Sequence, residues 1–382
     1  MYKSSSFDIN STILATGLFL ATNGETRDIS SKILDGAVGE PRSIPLNSAE
    51  VYASQRKLIP YLLYAHAGGL LPLSLEDERY FRRCNEVFQI RANLFERCLV
   101  DISGSMKQGG IDPVLFKGDD LRQHYPDPWT RPSADSDILV HPKELVGASE
   151  ALISAGYKHG VIKAGRAFSE DGKLRIYDAN PHSARWVHES HHQIHAFYRE
   201  FNCPELVPYI DILKGGTKYE FVTANEVRIA HIVDLHFNLA YGMEPSDYFH
   251  HFRSLNIGGT SMSALAPEMS ICFYAGRAYY DALISNVDSV YDLIDAAIYY
   301  YKYYHDLDWD WIGYYCDRYA AWAPLYYFGE FVARFMQRPM PNVLMEKLAE
   351  SMLSNRQFDL GPFIPKSLGY LPFGSRDSTI FA

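Results

Sequence analysis

The sequence predicts an α+β protein with a strand-bearing middle between helical ends, and three changes of period carry the reading. Residues 50 to 110 repeat apolar positions every three or four residues. Short β-prone runs then replace that pattern, and from about Pro267 to Leu353 helical periodicity returns. The expected segments are an N-terminal helical segment over 1–110, a core with a histidine-rich insertion over 111–245, and a C-terminal helical domain over 246–382.

In chain order, "SQRKLIPYLLYAHAGG" and "NEVFQIRANLFERCLVDISGSMKQGG" are amphipathic helical stretches closed by glycines. Val114 to Phe116 is a short β-prone run that stops at Lys117-Gly118 and leads into a short helix over Asp119 to Tyr125. After the proline-rich "PDPWTRPSAD", the run "DILV" is a second strand, and "PKELVGASEALISAGYKHG" is a helix with glycine near its end. "KLRIYDA", "KYEFVT" and "VRIAHIVDLHFNL" then read as strands, although the last is long enough to be a helix. "MEPSDYFHHFRSLNIGGTSMSAL" is expected to be a connecting region around a Gly-Gly turn.

The 382 residues suffice for two domains, and 47% hydrophobic with 21% charged residues fits a chain folded nearly throughout. A formal charge of −10 argues against general nucleic-acid binding, which requires many phosphates to be neutralised, but leaves a local basic pocket open. Cys84, Cys98, Cys203, Cys272 and Cys316 contain no Cys-x-x-Cys pair, so neither a disulfide framework nor a cysteine zinc site is expected, and a reducing cytoplasm is. The apolar patch "ILATGLFLATNG" is too short to span a bilayer, so no signal peptide or membrane anchor is expected. The 28 tyrosines, many in the last third, are expected to pack on helical faces with their hydroxyls wet.

"RPSADSDILV" places two carboxylates one residue apart at the start of an apolar run. On a strand, residues i and i+2 share a face, so Asp135 and Asp137 would project together. Like charges held that close call for a divalent cation with hard oxygen ligands, Mg²⁺ or Mn²⁺, which also binds phosphate oxygens. A pair of solvated turn carboxylates is the alternative.

The stretch "VLFKGDDLRQHYPDPWTRPSADSDILVHPKELVGASEALISAGYKHG" resembles the nucleotidyltransferase superfamily, in particular bacterial nucleotidyltransferase-like proteins with an N-terminal Leu-Lys-Gly motif. "IVDLHFNL" and "LDWDWIGYYCDRYAAWAPLYYFGEFVARFMQRPMP" are similar to further segments of that group, so the resemblance runs with gaps from about 110 to 345. It implies a small mixed sheet with flanking helices. It also implies a cytoplasmic enzyme that moves an NMP group from an NTP, ATP first among them, to a hydroxyl or phosphate of a small-molecule or protein acceptor with Mg²⁺ or Mn²⁺.

Carried onto this sequence, Asp135 and Asp137 are metal ligands, and Asp234 is the third carboxylate and the general base. Lys117 and Gly118 approach the phosphates, Arg131 clamps them, and His236 orients the base or touches phosphate. His191 and His192 are expected to face the cleft. Each role has a structural rival: a solvated turn lysine at 117, an Asp234 salt bridge to Arg228, an Arg131 pair with Asp127, a core histidine at 236. If helical, "HSARWVHESHHQIHAFYRE" would bring His188, His191 or His192, and His195 to one face with acceptable zinc spacing. The acids Asp119 and Asp120 depart from the group's pattern and would weaken nucleotide binding unless a metal or Arg122 offsets them. Two other functions stay open. One is an Asp-x-Asp glycosyltransferase, disfavoured because the segment before the motif is mostly helical. The other is a non-catalytic or toxin-like partner-binding module on the same scaffold.

Overall fold

A computed structural model describes residues 9–38, 56–162, 167–169, 172–178, 193–213, 219–239, 243–285 and 290–354. The first helices are α1 (Ile9–Ala21), α2 (Arg27–Val38), α3 (Leu58–Ala67) and the long α4 (Leu75–Gln108). The middle of the chain carries β1 (Val114–Phe116), α5 (Gly118–Leu121), β2 (Ser136–Leu139), α6 (Leu145–Ser154), β3 (Lys158–Ile162), β4 (Ile176–Asp178) and β5 (Phe197–Asn202). It continues with α7 (Ile210–Leu213), β6 (Glu220–Val222), β7 (Val227–His236), β8 (Phe252–Ile257) and β9 (Thr260–Leu265). Helices α8 (Pro267–Ser285), α9 (Val290–Tyr303), α10 (Trp309–Tyr319), α11 (Trp322–Met336) and α12 (Asn342–Ser354) follow. The expected α+β class is what these elements form.

The chain groups into two compact units, one from Ser48–Lys57 and Tyr80–Ala266, the other from Met1–Asn47, Leu58–Arg79 and Pro267–Ala382. These units draw on separated stretches, whereas the segments expected from the sequence follow chain order. The difference has a packing cause. Leu99, Ile102 and Met106 of α4 share a core with Leu115, Ile138, Val233 and Leu235 of the strands, so most of that helix belongs with the sheet.

In the sheet unit the strand order is β4-β3-β5-β7-β2-β1-β9-β8, with β6 also on β7. β7 organises it: β2 runs parallel to it, and β5 and β6 run antiparallel. Its β-branched, alternating sequence settles the strand-or-helix ambiguity, because Val227, Ile229, Val233 and Leu235 all enter the core that α4 covers. The region expected only to connect is instead a hairpin, β8 to β9, and β9 lies parallel to β1. Gly258 (φ 55) and Gly259 (φ 79) make its turn, where two positive φ angles match the twist of the strands.

The other unit is helical. Gly17 lets α1 approach α9 closely, since a Cβ there would sit 2.7 Å from Ile294 Cγ1. Its tyrosines go deeper than expected: Tyr274, Tyr279, Tyr299 and Tyr300 are fully buried. Tyr300 donates to the Arg338 carbonyl at 2.7 Å, so a backbone acceptor replaces water. Asp308 caps α10, its Oδ1 accepting from the Trp311 N–H at 2.9 Å. All five cysteines are free and buried. Among the described residues no helix is long and apolar enough to cross a membrane.

Candidate functional site

Register brings the site together. Phe116 of β1 stands opposite Asp137 of β2, Asp137 opposite Asp234 of β7, and Leu139 opposite His236. Cross-strand partners and i+2 neighbours share a face, so Phe116, Asp137, Asp234 and His236 point one way. Leu115, Ile138, Val233 and Leu235 point the other way, into the core with α4 and α6. One ligand atom each from Asp137, Asp234 and His236 lies within 4.8 Å of the others.

Asp137 is the most constrained of these groups. Its Oδ1 accepts from Lys117 Nζ at 2.7 Å and lies 3.1 Å from His236 Nε2, and the His236 ring meets the edge of Phe116 at 4.8 Å. Burial opposes its charge, but the Lys117 ammonium and the His236 contact outweigh burial and hold the carboxyl well below the usual range. Asp135 occupies the bend before β2, outside the close group of three ligand atoms. Burial, and then the Asp137 charge, push its pKa up. The structure thus gathers Asp137 and Asp234 of the expected metal set, with His236 as their third neighbour.

Lys117 follows β1 with φ 53 and ψ −128, a backbone conformation that favours glycine and costs a residue with a side chain about 1–3 kcal/mol. Its partner is a buried carboxylate rather than solvent, in contrast to the turn-lysine alternative. Gly118 is required by packing. A Cβ there would lie 2.7 Å from Ser133 Oγ and 3.3 Å from Arg131 Nη1, so the space over the glycine already holds the 131–133 loop. Ser133 in turn donates to the Asp135 carbonyl at 2.9 Å and faces its carboxylate at 3.2 Å, tying that loop to the acid pair. Arg131 lines a small cavity with Arg91, Arg122, Trp129 and Ser133.

The acids after Lys117-Gly118 are structural. Asp119, fully buried, lies 3.1 Å from Arg122 Nη2. Burial raises its pKa to about 6 against the pull of Arg122. Asp120, also fully buried, pairs with Arg253 of β8, with His124 Nε2 3.6 Å away. Arg122 offsets one of the two charges, as the sequence required, and Arg253, more than a hundred residues away, offsets the other.

Arg228 is engaged by Glu200 at 2.6 Å and Glu226 at 3.1 Å. His192, with His182, His188 and His191, lies outside the described residues, and so does most of the proposed zinc face. The chain resumes at Gln193, which bridges to His236, and Ile194 N–H donates to the Leu235 carbonyl.

On the opposite face sits a group that sequence reading did not single out. His231 is fully buried, with Ser136 Oγ 2.9 Å from Nε2 and Tyr157 Oη 2.7 Å from Nδ1. Burial, then Arg122 and Arg199, lower its pKa to about 3, so it stays neutral. The period-2 alternation of β7 puts 231 opposite 234 and 236, which is the one signal that separates this histidine from the site.

Two carboxylates and an imidazole on adjacent strands form a donor set suited to a divalent cation: the oxygens fit Mg²⁺ or Mn²⁺ and the nitrogen fits a transition ion. A mixed α+β fold with acids on one sheet face is compatible with the nucleotidyltransferase class. The chain belongs to a family of uncharacterised nucleotidyltransferases, whose model matches residues 51–337. No curated protein and no solved structure matches it.

Proposed function

We propose that this protein is a metal-dependent nucleotidyltransferase, moving an NMP group from an NTP, ATP first among them, to a hydroxyl or phosphate of a small-molecule acceptor. The observation that carries the reading is the convergence of Asp137, Asp234 and His236 within 4.8 Å on one sheet face, in a chain of this family. Mg²⁺ or Mn²⁺ bound there supplies neutralisation of the crowded phosphate oxygens.

The remaining work falls to side chains. Asp137 and Asp234 hold the cation, with His236 as the third donor. Asp234, the less buried of the two, accepts the acceptor hydroxyl's proton as nucleophilic attack begins. Lys117, whose ammonium lies beside Asp137, is the cation that would meet phosphate oxygens once a nucleotide is bound. Arg131 stands beside Gly118 with a planar fork suited to the same oxygens. Asp135 adds negative charge next to Asp137 and so favours cation binding. The internal pairing of Asp119 and Asp120 with Arg122 and Arg253 supports the catalytic reading over a non-catalytic scaffold.

The test supplies each α-labelled NTP with Mg²⁺ or Mn²⁺ and a pool of small-molecule metabolites, and resolves labelled products. Transfer by wild type, lost with EDTA and with Asp137→Asn, is the expected result. Pyrophosphate-free inertness toward all four NTPs under every metal condition contradicts the reading.

A further inference from the structure

The carboxylate at the centre of the site already has a cation, supplied by the chain. Lys117 Nζ lies 2.7 Å from Asp137 Oδ1, and the two side chains are only 17% and 7% exposed. The same oxygen faces His236 Nε2 at 3.1 Å, so Asp137 Oδ1 is turned toward two partners within the protein. The backbone gives a second, independent sign. Lys117 adopts φ 53, a conformation that glycine takes freely, directly before a glycine. A lysine stands at that position against its backbone preference, and its ammonium contacts the Asp137 carboxylate and lies 5.0 Å from the centroid of the Phe116 ring.

An ammonium and a divalent cation compete for one carboxylate oxygen. Both are positive, and in a largely buried setting their mutual repulsion is poorly screened. Whichever holds Asp137 Oδ1 therefore lowers the affinity of the other.

We propose that Lys117 is a built-in counter-ion of the metal site: it holds Asp137 when no divalent cation does, keeps the affinity for the bare ion low, and moves to phosphate oxygens when a polyphosphate arrives. The polyphosphate step rests on the nucleotidyl-transfer reading, while the competition with the ion rests on the Lys117–Asp137 geometry. Metal and polyphosphate then bind with positive coupling, and by linkage each tightens the other by the same factor. Such coupling restricts the filled site to the complex that is ready to react.

The test is Mn²⁺ binding to the full-length protein without nucleotide, followed by the electron paramagnetic resonance of free Mn²⁺. Wild type, K117M, K117R and D137N are compared, and K117Q gives the same readout should K117M fail to fold. Close charge pairs couple strongly enough that K117M is expected to bind Mn²⁺ about tenfold more tightly than wild type. K117R stays weak, and D137N loses binding. Equal or weaker binding by whichever of K117M and K117Q folds, with binding still dependent on Asp137, overturns the counter-ion while leaving the metal site intact. Absence of Mn²⁺ binding in wild type and in both lysine variants overturns the counter-ion and the metal-dependent reading together.

Discussion

Replacing His231 with glutamine tests the division of the sheet into a reactive face and a buried core face. In the folded protein His231 has a pKa of about 3, against 6.5 for an unburied imidazole, chiefly because burial disfavours the charged ring. Below pH 6.5 the unfolded chain takes up a proton that the folded chain refuses until about pH 3, so stability falls as pH drops through that window. At 1.36 kcal/mol per pH unit the loss reaches about 5 kcal/mol at the bottom of the window and about 2 kcal/mol at pH 5. Asp119 acts in the opposite sense: with a folded pKa raised to about 6 it binds its proton before the unfolded chain does and returns about 1 kcal/mol by pH 5. Other shifted carboxyls, Asp137 and Asp135 among them, contribute to wild type as well, so it is the comparison with H231Q that isolates the histidine. Urea unfolding of both proteins at pH 8 and pH 5, at fixed ionic strength, should show the stability gap shifting by about 2 kcal/mol in favour of H231Q on acidification. Parallel pH dependences would refute the argument that His231 is neutral and sealed.

Three further outcomes follow from the same geometry. Gly118→Ala drives a methyl into Ser133 and should cost about 1–3 kcal/mol in denaturant unfolding while displacing the loop that carries Arg131. Arg253→Met strips fully buried Asp120 of its guanidinium partner and should lower stability by about 3–5 kcal/mol, with Asp120→Asn in the same chain restoring part of it. Asp234→Asn should cut transfer by about a hundredfold or more in steady-state kinetics, yet change melting temperature little because its side chain is only half buried.

Period and turn chemistry made much of this architecture legible. The change from helical spacing to short β-runs located β1, β2, α6 and β7, and the Lys-Gly stop marked the turn into α5. What stayed hidden depends on contacts between residues distant in sequence. The β8–β9 hairpin looked like a linker because its strands are polar on one face, and β5 was masked by the histidines before it. At the site, Asp137, Asp234 and His236 could be nominated individually. Their convergence comes from the β2–β7 register, which one-dimensional spacing does not encode. The Lys117–Asp137 pair, 20 residues apart, and the Asp120–Arg253 pair, 133 apart, were unreadable for the same reason. Asp135, expected to share a strand face with Asp137, lies in the bend just before β2, which begins at Ser136, and is not in the close group of ligand atoms.

The central claim, that Asp137 and its neighbours hold a metal–triphosphate, is tested most directly by thermal-shift titration of wild type and Asp137→Asn with each NTP in Mg²⁺, Mn²⁺ or EDTA. A ligand that binds only the folded state at a hundredfold excess over its Kd stabilises by about 2.7 kcal/mol, a readily measured rise in Tm. Stabilisation of wild type by at least one NTP, present with metal and lost both in EDTA and in Asp137→Asn, is the result predicted. An unchanged melting temperature with all four nucleotides in every metal condition, or an equal shift in Asp137→Asn, would contradict it.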